Sequence, residues 1–174
     1  MVNPGRPQPD EHAPYYARYL NLVPEEDIIA ALEGQGRETA ALLSLVGDEK
    51  ASFRYAPDKW SVKQVIGHVA DAERVFAFRA MSIARGERKP LPGFEEKDYV
   101  ANASFDDRGL ADLVDDLTSA RRATLSLLRG FSEEAWRRVG MANDTAVSVR
   151  ALAYMILGHE RHHLGVLRER YLTA

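Results

Sequence analysis

The chain has 174 residues, of which 45% are hydrophobic and 28% charged, so it can bury the core of a single domain. Its 23 basic and 26 acidic side chains give a formal net charge of −3, which argues against general nucleic-acid binding, because that requires a basic face. The absence of cysteine excludes disulfides, thiolate metal ligands and a cysteine nucleophile.

The N-terminal residues 1–23 predict an extended arm. Four of the eight prolines lie within the first fourteen positions, and proline disfavours regular pairing. This opening contains no apolar signal segment, and no run in the chain approaches the roughly 18 apolar residues of a membrane span. We therefore expect a cytoplasmic protein without a membrane partner. Several large side chains close the arm and should pack on the body of the domain, namely Tyr15, Tyr16, Tyr19, Leu20 and Leu22.

Residues 24–174 form the predicted main domain and begin with two long helices. The first follows Pro24, continues to about Val46 at helical spacing and ends before Gly47. The second begins at a capping box formed by Ser61 and Gln64, and it ends near residue 85. Residues 86–105 show no periodicity and predict a long connection.

Two further long helices complete the prediction. Asp106 is the expected N-cap of the third, which ends before Gly130, and Ser132 begins a short helical turn. Ser148 is the expected N-cap of the fourth, which runs to about Leu172. No segment alternates clearly with a period of two. The predicted fold is all-α, an antiparallel four-helix bundle with a long connection between helices 2 and 3.

The histidines cluster in the sequence. His159, His162 and His163 fall within five residues, and His68 lies midway along the second helix. His159 and His163 are four residues apart, so they project from one helical face and can reach a single ion. A helical wheel places both nearer to the buried direction than His162, which it points towards solvent. The wheel leaves the exposure of His68 open, because nearly the whole circumference of that helix is apolar.

Three neutral imidazoles on a divalent ion would leave positions open for water or substrate. Zn, Ni, Cu and Fe all accept imidazole, so spacing does not choose among them. Gly67 and Gly158 directly precede His68 and His159. Glycine is unfavourable inside a helix, so these two indicate either close helix approach or room for a ligand, and ordinary helix packing explains them equally well.

Two acids on the second helix are candidate partners. Asp71 follows His68 by three residues, so it either orients that imidazole through a hydrogen bond or is a solvated helix acid. Glu73 lies near the middle of the apolar face and needs a partner there, for which we expect Arg79 or Arg150. A structural ion pair is favoured over a catalytic base.

Three segments together resemble the DinB-like superfamily over about residues 20–172. They are YAPDKWSVKQVIGHVADAER from Tyr55, GHERHH from Gly158, and LPGF from Leu91 followed by Asp98 and Tyr99. The resemblance implies a metal-binding helical bundle in which His68, His159 and His163 hold a divalent ion. Zn or Ni is favoured, and Fe or Cu remains open. Asp71 and His162 are candidates to support the site from outside this ligand set.

The resemblance also implies a class of chemistry. Characterised relatives include a mycothiol-dependent isomerase and bacillithiol or mycothiol S-transferases, so we expect a small-molecule substrate and a low-molecular-weight thiol cosubstrate, or else a hydrolase-like reaction. The alternative is a metal-containing stress-response or binding module without turnover. An open site facing a pocket lined by Phe94, Tyr99 and Asn102 would favour the enzyme. Bundles of this family often pair, so a homodimer is expected.

Overall fold

The computed structural model describes residues 2–172, so Met1, Thr173 and Ala174, at the outer ends of the predicted arm and main domain, lie outside it. Within the described range none of the helices is long and apolar enough to cross a bilayer. The helices are α1 (Ala17–Leu20), α2 (Ile28–Leu43), α3 (Asp48–Ala51), α4 (Val62–Ala84), α5 (Glu96–Asn102), α6 (Leu110–Arg129), α7 (Glu133–Arg137) and α8 (Val149–Arg170). The strands are β1 (Val139–Ala142) and β2 (Thr145–Ser148).

The four long helices α2, α4, α6 and α8 form a bundle. Helix α4 packs along α6 and α8, and α2 packs along the same two helices. Helices α2 and α4 are consecutive long helices, yet they lie on a diagonal of the bundle. This confirms the predicted four-helix bundle with a long connection between its second and third long helices.

Contacts along the helices fix their directions. The start of α4 lies beside the start of α6, because Ser61 bonds to Asp106. The end of α4 lies beside the end of α6, because Arg85 lies over the ring of Phe131. Helices α4 and α6 therefore run in the same direction, whereas α4 and α8 are antiparallel, because Tyr171 at the end of α8 bonds to the Trp60 carbonyl before α4. The predicted antiparallel arrangement thus holds for α4 and α8 but not for α4 and α6. Parallel neighbours require a connection as long as the helix itself, about 30 Å here, and residues 85–109 supply it.

Three helices, α4, α7 and α8, begin at the serine caps that the sequence predicted. Ser61 and Gln64 form both bonds of the capping box, at 3.1 and 3.2 Å. Ser132 accepts a bond from the Ala135 amide and caps α7. Ser148 caps α8 in the same way. Helix α2 ends three residues before the predicted Val46, at Leu43.

The predicted start of the third long helix is wrong. Its N-cap is Gly109 rather than Asp106, which lies in a 3₁₀ turn spanning Phe105–Asp107. The Asp106 carboxylate accepts bonds from the Ser61 hydroxyl and from Arg54, so it ties the connection to the start of α4. Its acceptor oxygens are committed to another element and do not cap α6.

A β-hairpin was not expected between α7 and α8. Strands β1 and β2 pair antiparallel around Asn143 and Asp144, whose positive φ angles of 51° and 58° form a two-residue turn of the I′ type. Leu91 donates to the Met141 carbonyl at 2.9 Å and accepts from the Asn143 amide at 3.0 Å. The hairpin therefore anchors the connection that precedes α5.

The N-terminal arm packs on its own chain. Tyr19 and Leu20 are buried, as predicted, whereas Tyr15 and Leu22 are exposed. The arm contains two 3₁₀ turns, Pro9–Glu11 and Pro14–Tyr16, before α1. Its backbone passes so close to α8 that a Cβ atom on Gly158 would lie 2.1 Å from the Tyr19 carbonyl oxygen.

Candidate metal centre

Three imidazoles converge between α4 and α8. The Nε2 atoms of His68 and His163 each lie 3.1 Å from Nε2 of His159. One ligand atom from each of the three histidines lies within 4.8 Å of the other two. The i,i+4 pair on α8 and the single histidine on α4 thus face one point, as the spacing and the resemblance predicted.

This geometry fits a metal ion better than a hydrogen-bonded trio. With metal–nitrogen bonds of about 2.0–2.1 Å, two ligand nitrogens lie about 2.9 Å apart at a right angle and about 3.4 Å apart at a tetrahedral angle. The 3.1 Å separations fall between these values. In a neutral imidazole Nε2 carries either one hydrogen or one lone pair, so His159 Nε2 cannot form a full hydrogen bond with each of its two neighbours. The residues present therefore fit a divalent ion.

Burial keeps these imidazoles neutral. It lowers the pKa of His68 to about 4. Burial, followed by the neighbouring histidines, lowers the pKa of His159 and His163 well below the usual 6.5. Neutral imidazole is the form that binds a metal, so at neutral pH no proton has to be displaced from a cationic ring.

Aromatic rings enclose the three histidines. The ring centroid of Trp60 lies 4.9 Å from that of His68. On the other side Tyr19 and Phe76 lie 5.3 and 5.9 Å from the His159 ring. These rings hold the imidazoles in place and lower the local polarity, which strengthens ion–ligand attraction.

Close packing explains both glycines that precede a histidine. A Cβ atom on Gly67 would lie 2.4 Å from the Phe105 ring, and one on Gly158 would collide with the Tyr19 carbonyl. Glycine at these positions lets the connection and the arm press against the two helices that carry the histidines. The glycines therefore mark packing contacts beside the cluster.

Two cavities flank the cluster. One, of about 450 Å³, reaches His159 from the side of the arm, and Tyr19, Phe76 and Phe94 line it. The other, of about 290 Å³, reaches His163 from the side of Trp60. The first lies within the size range of small-molecule sites, so a ligand of modest size can enter beside the histidines.

Comparison with known proteins assigns the family. Residues 31–167, well over half of the chain, match the model of the DinB superfamily. The chain belongs to the DinB superfamily. One similar solved structure is YfiT from Bacillus subtilis, described as a probable metal-dependent hydrolase with an unusual four-helix bundle topology. It shares 18% identity, with a TM-score of 0.68 over 97% of this chain and 95% of that one, and this likeness concerns the fold. No curated protein matches the chain.

In this DinB bundle the two predicted supporting residues have other contacts. Asp71 pairs with Arg74 at 3.4 Å, on the solvent side of α4. His162 is half-buried, with its ring 5.5 Å from Tyr19 and 5.2 Å from His163. It therefore packs beside the cluster without joining the converging atoms. A supporting role for either residue stays a prediction.

Sequence reasoning missed Glu96. Its Oε2 atom lies 4.0 Å from His68 Nε2, and its side chain is 52% exposed at the rim of the larger cavity. It belongs to α5, inside the segment predicted as an unstructured connection, so no periodicity related it to the histidines. Of the three loop residues expected around a pocket, Phe94 lines this cavity, Tyr99 packs on the Phe94 ring, and Asn102 bonds to the Asp98 carbonyl.

Proposed function

We propose that this chain is a divalent-metal-dependent enzyme acting on a small molecule, with His68, His159 and His163 holding the ion. The observation that carries the proposal is the convergence of three neutral imidazoles, those of His68 and His159 buried and that of His163 partly buried, next to an open cavity of about 450 Å³. A purely structural metal site is normally closed by a fourth protein ligand. The open cavity favours catalysis over a metal-containing module without turnover.

Zn or Ni fits the three-imidazole set, which Fe and Cu also accept. When bound, such an ion lowers the pKa of a coordinated thiol or water and presents it as a nucleophile. The chain has no cysteine, so a thiol must arrive as a cosubstrate. Glu96 supplies a carboxylate that can accept a hydrogen bond from that thiol or water. The aromatic rings around His68 and His159 exclude bulk water.

Metal analysis of purified variants tests the ligand set. His68→Ala, His159→Ala and His163→Ala should each lose most of the bound metal, because each removes one of three ligands. His162→Ala is the matched control, since it removes an imidazole from the same helix without touching the converging atoms. Loss of metal in the His162 variant together with retention in the His159 variant would show that the ligand set is wrong.

The thiol is tested separately. Metal-loaded protein should accelerate conjugation of a low-molecular-weight thiol to an electrophile such as monobromobimane, and removal of the metal by a chelator should abolish the acceleration. If metal-loaded protein instead hydrolyses ester or amide substrates and ignores thiols, water is the nucleophile and the thiol part of the proposal fails.

We also propose that the protein is a homodimer. Tyr15 at the surface of the arm is 57% exposed, and Leu45 after α2 is 84% exposed, so large side chains remain available to a second copy. Light scattering at micromolar concentration should give twice the mass of the chain. A monomeric mass would refute the proposal.

A further inference from the structure

Arg79 is a buried cation without a counter-ion. It lies on α4 about three helical turns beyond His68 and is 4% exposed. One guanidinium nitrogen donates to the Pro92 carbonyl at 2.8 Å, and the group lies near the rings of Phe76 and Phe94. Within residues 2–172 no carboxylate pairs with it.

The other buried guanidinium of the bundle shows the contrast. Arg121 is paired with two carboxylates, those of Glu73 and Glu160. Burial lowers the pKa of Arg79, and its contact with the Tyr16 hydroxyl offsets this only in part. A buried charge is costly unless an opposite charge compensates it. The position of Arg79 is therefore suited to an anion that arrives with a ligand.

Arg79 and His159 line the same cavity of about 450 Å³. Phe76 lies between them, with its ring centroid 5.9 Å from that of His159 and 6.0 Å from the Arg79 guanidinium carbon. The cavity thus has an apolar wall with the histidine cluster on one side and a cation on the other. The other charged residues of the cavity lie exposed at its rim, where water screens their charges; these are Glu95, Glu96 and Lys97.

The fold holds this cation in place. The Pro92 carbonyl that receives the Arg79 bond lies in the segment anchored by the Leu91 bonds to the hairpin. A Cβ atom on Gly93 would lie 2.3 Å from Asn143 Oδ1, so the segment is pressed directly against the hairpin turn. A fixed guanidinium suits bidentate recognition of a planar anion, because little order has to be created on binding.

We infer that the substrate carries a carboxylate at the end opposite its reacting group, and that Arg79 binds this carboxylate. The inference rests on the proposed function, because the reacting group is placed at the histidine cluster. The helical rise separates His68 from Arg79 by about 16 Å along α4, and the arginine side chain leans back towards the start of the helix. The substrate therefore spans about 10 Å, with an apolar middle against Phe76 and Phe94.

A matched ligand pair tests this assignment. Mercaptooctanoate and mercaptooctanol carry the same thiol and the same eight-carbon chain, and differ in the carboxylate or hydroxyl at the far end. Calorimetric titration of the zinc-loaded wild-type protein should show mercaptooctanoate binding about tenfold more tightly, as one charge-assisted pair predicts. Arg79→Met should abolish this preference and leave mercaptooctanol binding unchanged. Arg85→Met removes an equal charge from the exposed end of α4 and should keep the preference.

The wild-type titration is decisive even if a variant fails to fold. Equal affinity for the two ligands, or no binding of either at millimolar concentration, overturns the inference, as does loss of the preference in Arg85→Met. Repeating the titration on chelated protein separates the two proposals. A protein that takes up no metal but still prefers the carboxylate refutes the metal site and upholds Arg79. A protein that binds the metal but shows no preference for the carboxylate upholds the metal site and refutes the role of Arg79.

Discussion

Arg121 neutralises two carboxylates inside the bundle. Its guanidinium donates to Glu73 at 2.8 Å through two nitrogens and to Glu160 at 2.7 Å, and it also donates to the Leu32 carbonyl. Glu160 accepts a further bond from Thr39 at 2.5 Å. These bonds tie α4, α6, α8 and α2 together. Because Glu160 directly follows His159, the network also fixes the rotation of α8 that turns His159 towards His68.

Replacing Arg121 should lower the free energy of unfolding far more than replacing its neighbour Arg122. Arg121→Met leaves two buried carboxylates close together without a cation, which should lower the free energy of unfolding by about 3–5 kcal/mol. Arg122→Met is the control, because Arg122 is exposed and within residues 2–172 bonds only to the Ser119 hydroxyl, so its effect should stay within about 0.5 kcal/mol. Urea unfolding measures both. Similar losses in the two variants would refute this role for Arg121.

The sequence predicted that Glu73 needs a partner, but neither of the two expected arginines is that partner. A carboxylate in the middle of an apolar helical face indicates a buried ion pair, and this is what the structure contains. Its partner is 48 residues away on α6, whereas the expected Arg79 bonds to Pro92 and Arg150 pairs with Glu11. Helical periodicity gives the face of each residue, but the choice among several arginines depends on which helices become neighbours.

Two glycines on α8 occupy opposite environments. Gly158 lies under the arm, where a Cβ atom would be 2.1 Å from a backbone oxygen, while Gly165 has nothing within 4 Å of such an atom. Gly165→Ala should therefore raise the free energy of unfolding by about 0.5–1 kcal/mol, since alanine favours a helix. Gly158→Ala should lower it by about 1–3 kcal/mol, because the arm has to move.

Chemical denaturation compares the two glycine variants, and proteolysis locates the change. In Gly158→Ala the arm should be cleaved faster than in the wild type, whereas in Gly165→Ala its cleavage should be unchanged. Stabilisation by both substitutions would show that the arm does not press on α8.

The sequence predicted those features that neighbouring residues along the chain determine. The serine caps fixed the starts of α4, α7 and α8, and the i,i+4 spacing placed His159 and His163 on one face. The hairpin was not predicted, because strands of only four residues each are too short to show a clear alternation. The signal that the sequence did contain is the pair Asn143 and Asp144, residue types that tolerate the positive φ angles of its turn. The position of Glu96 beside His68 depends on how the long connection folds back, which no local pattern encodes.

The parallel direction of α4 and α6 shapes the whole molecule. It requires a connection that travels the length of the bundle, and residues 94–97 of that connection form one wall of the 450 Å³ cavity beside the middle of α4. The arm supplies the opposite wall through Ala13, Tyr15, Tyr16 and Tyr19. The candidate site is therefore built from distant parts of the chain, so the docking of the arm bears on the site as well as on stability.

An ion pair fastens the arm to the start of α8. Arg150 pairs with Glu11 through two nitrogens and donates to the Pro4 carbonyl at 3.0 Å. Burial raises the pKa of Glu11, but hydrogen bonds from Arg150, Ser148 and the Gln8 backbone outweigh it and leave this pKa below the usual 4.5. A carboxyl whose pKa is lower in the folded state stabilises the fold above about pH 4.5. That contribution is lost as the pH falls through the folded-state pKa.

Acid should therefore release the arm, and Glu11→Gln should mimic the effect at neutral pH. At pH 7 this variant should have a free energy of unfolding about 1 kcal/mol below that of the wild type, because it loses a charge-assisted bond at a partly buried site. The difference should shrink as the pH falls from 4.5 through the lower folded-state pKa of Glu11, below which the wild-type carboxyl is itself protonated. Glu38→Gln, which removes an exposed carboxylate from α2, is the control and should match the wild type throughout. Urea unfolding over a pH series measures all three proteins, and a difference between Glu11→Gln and wild type that does not change with pH would mean that ionised Glu11 does not hold the arm.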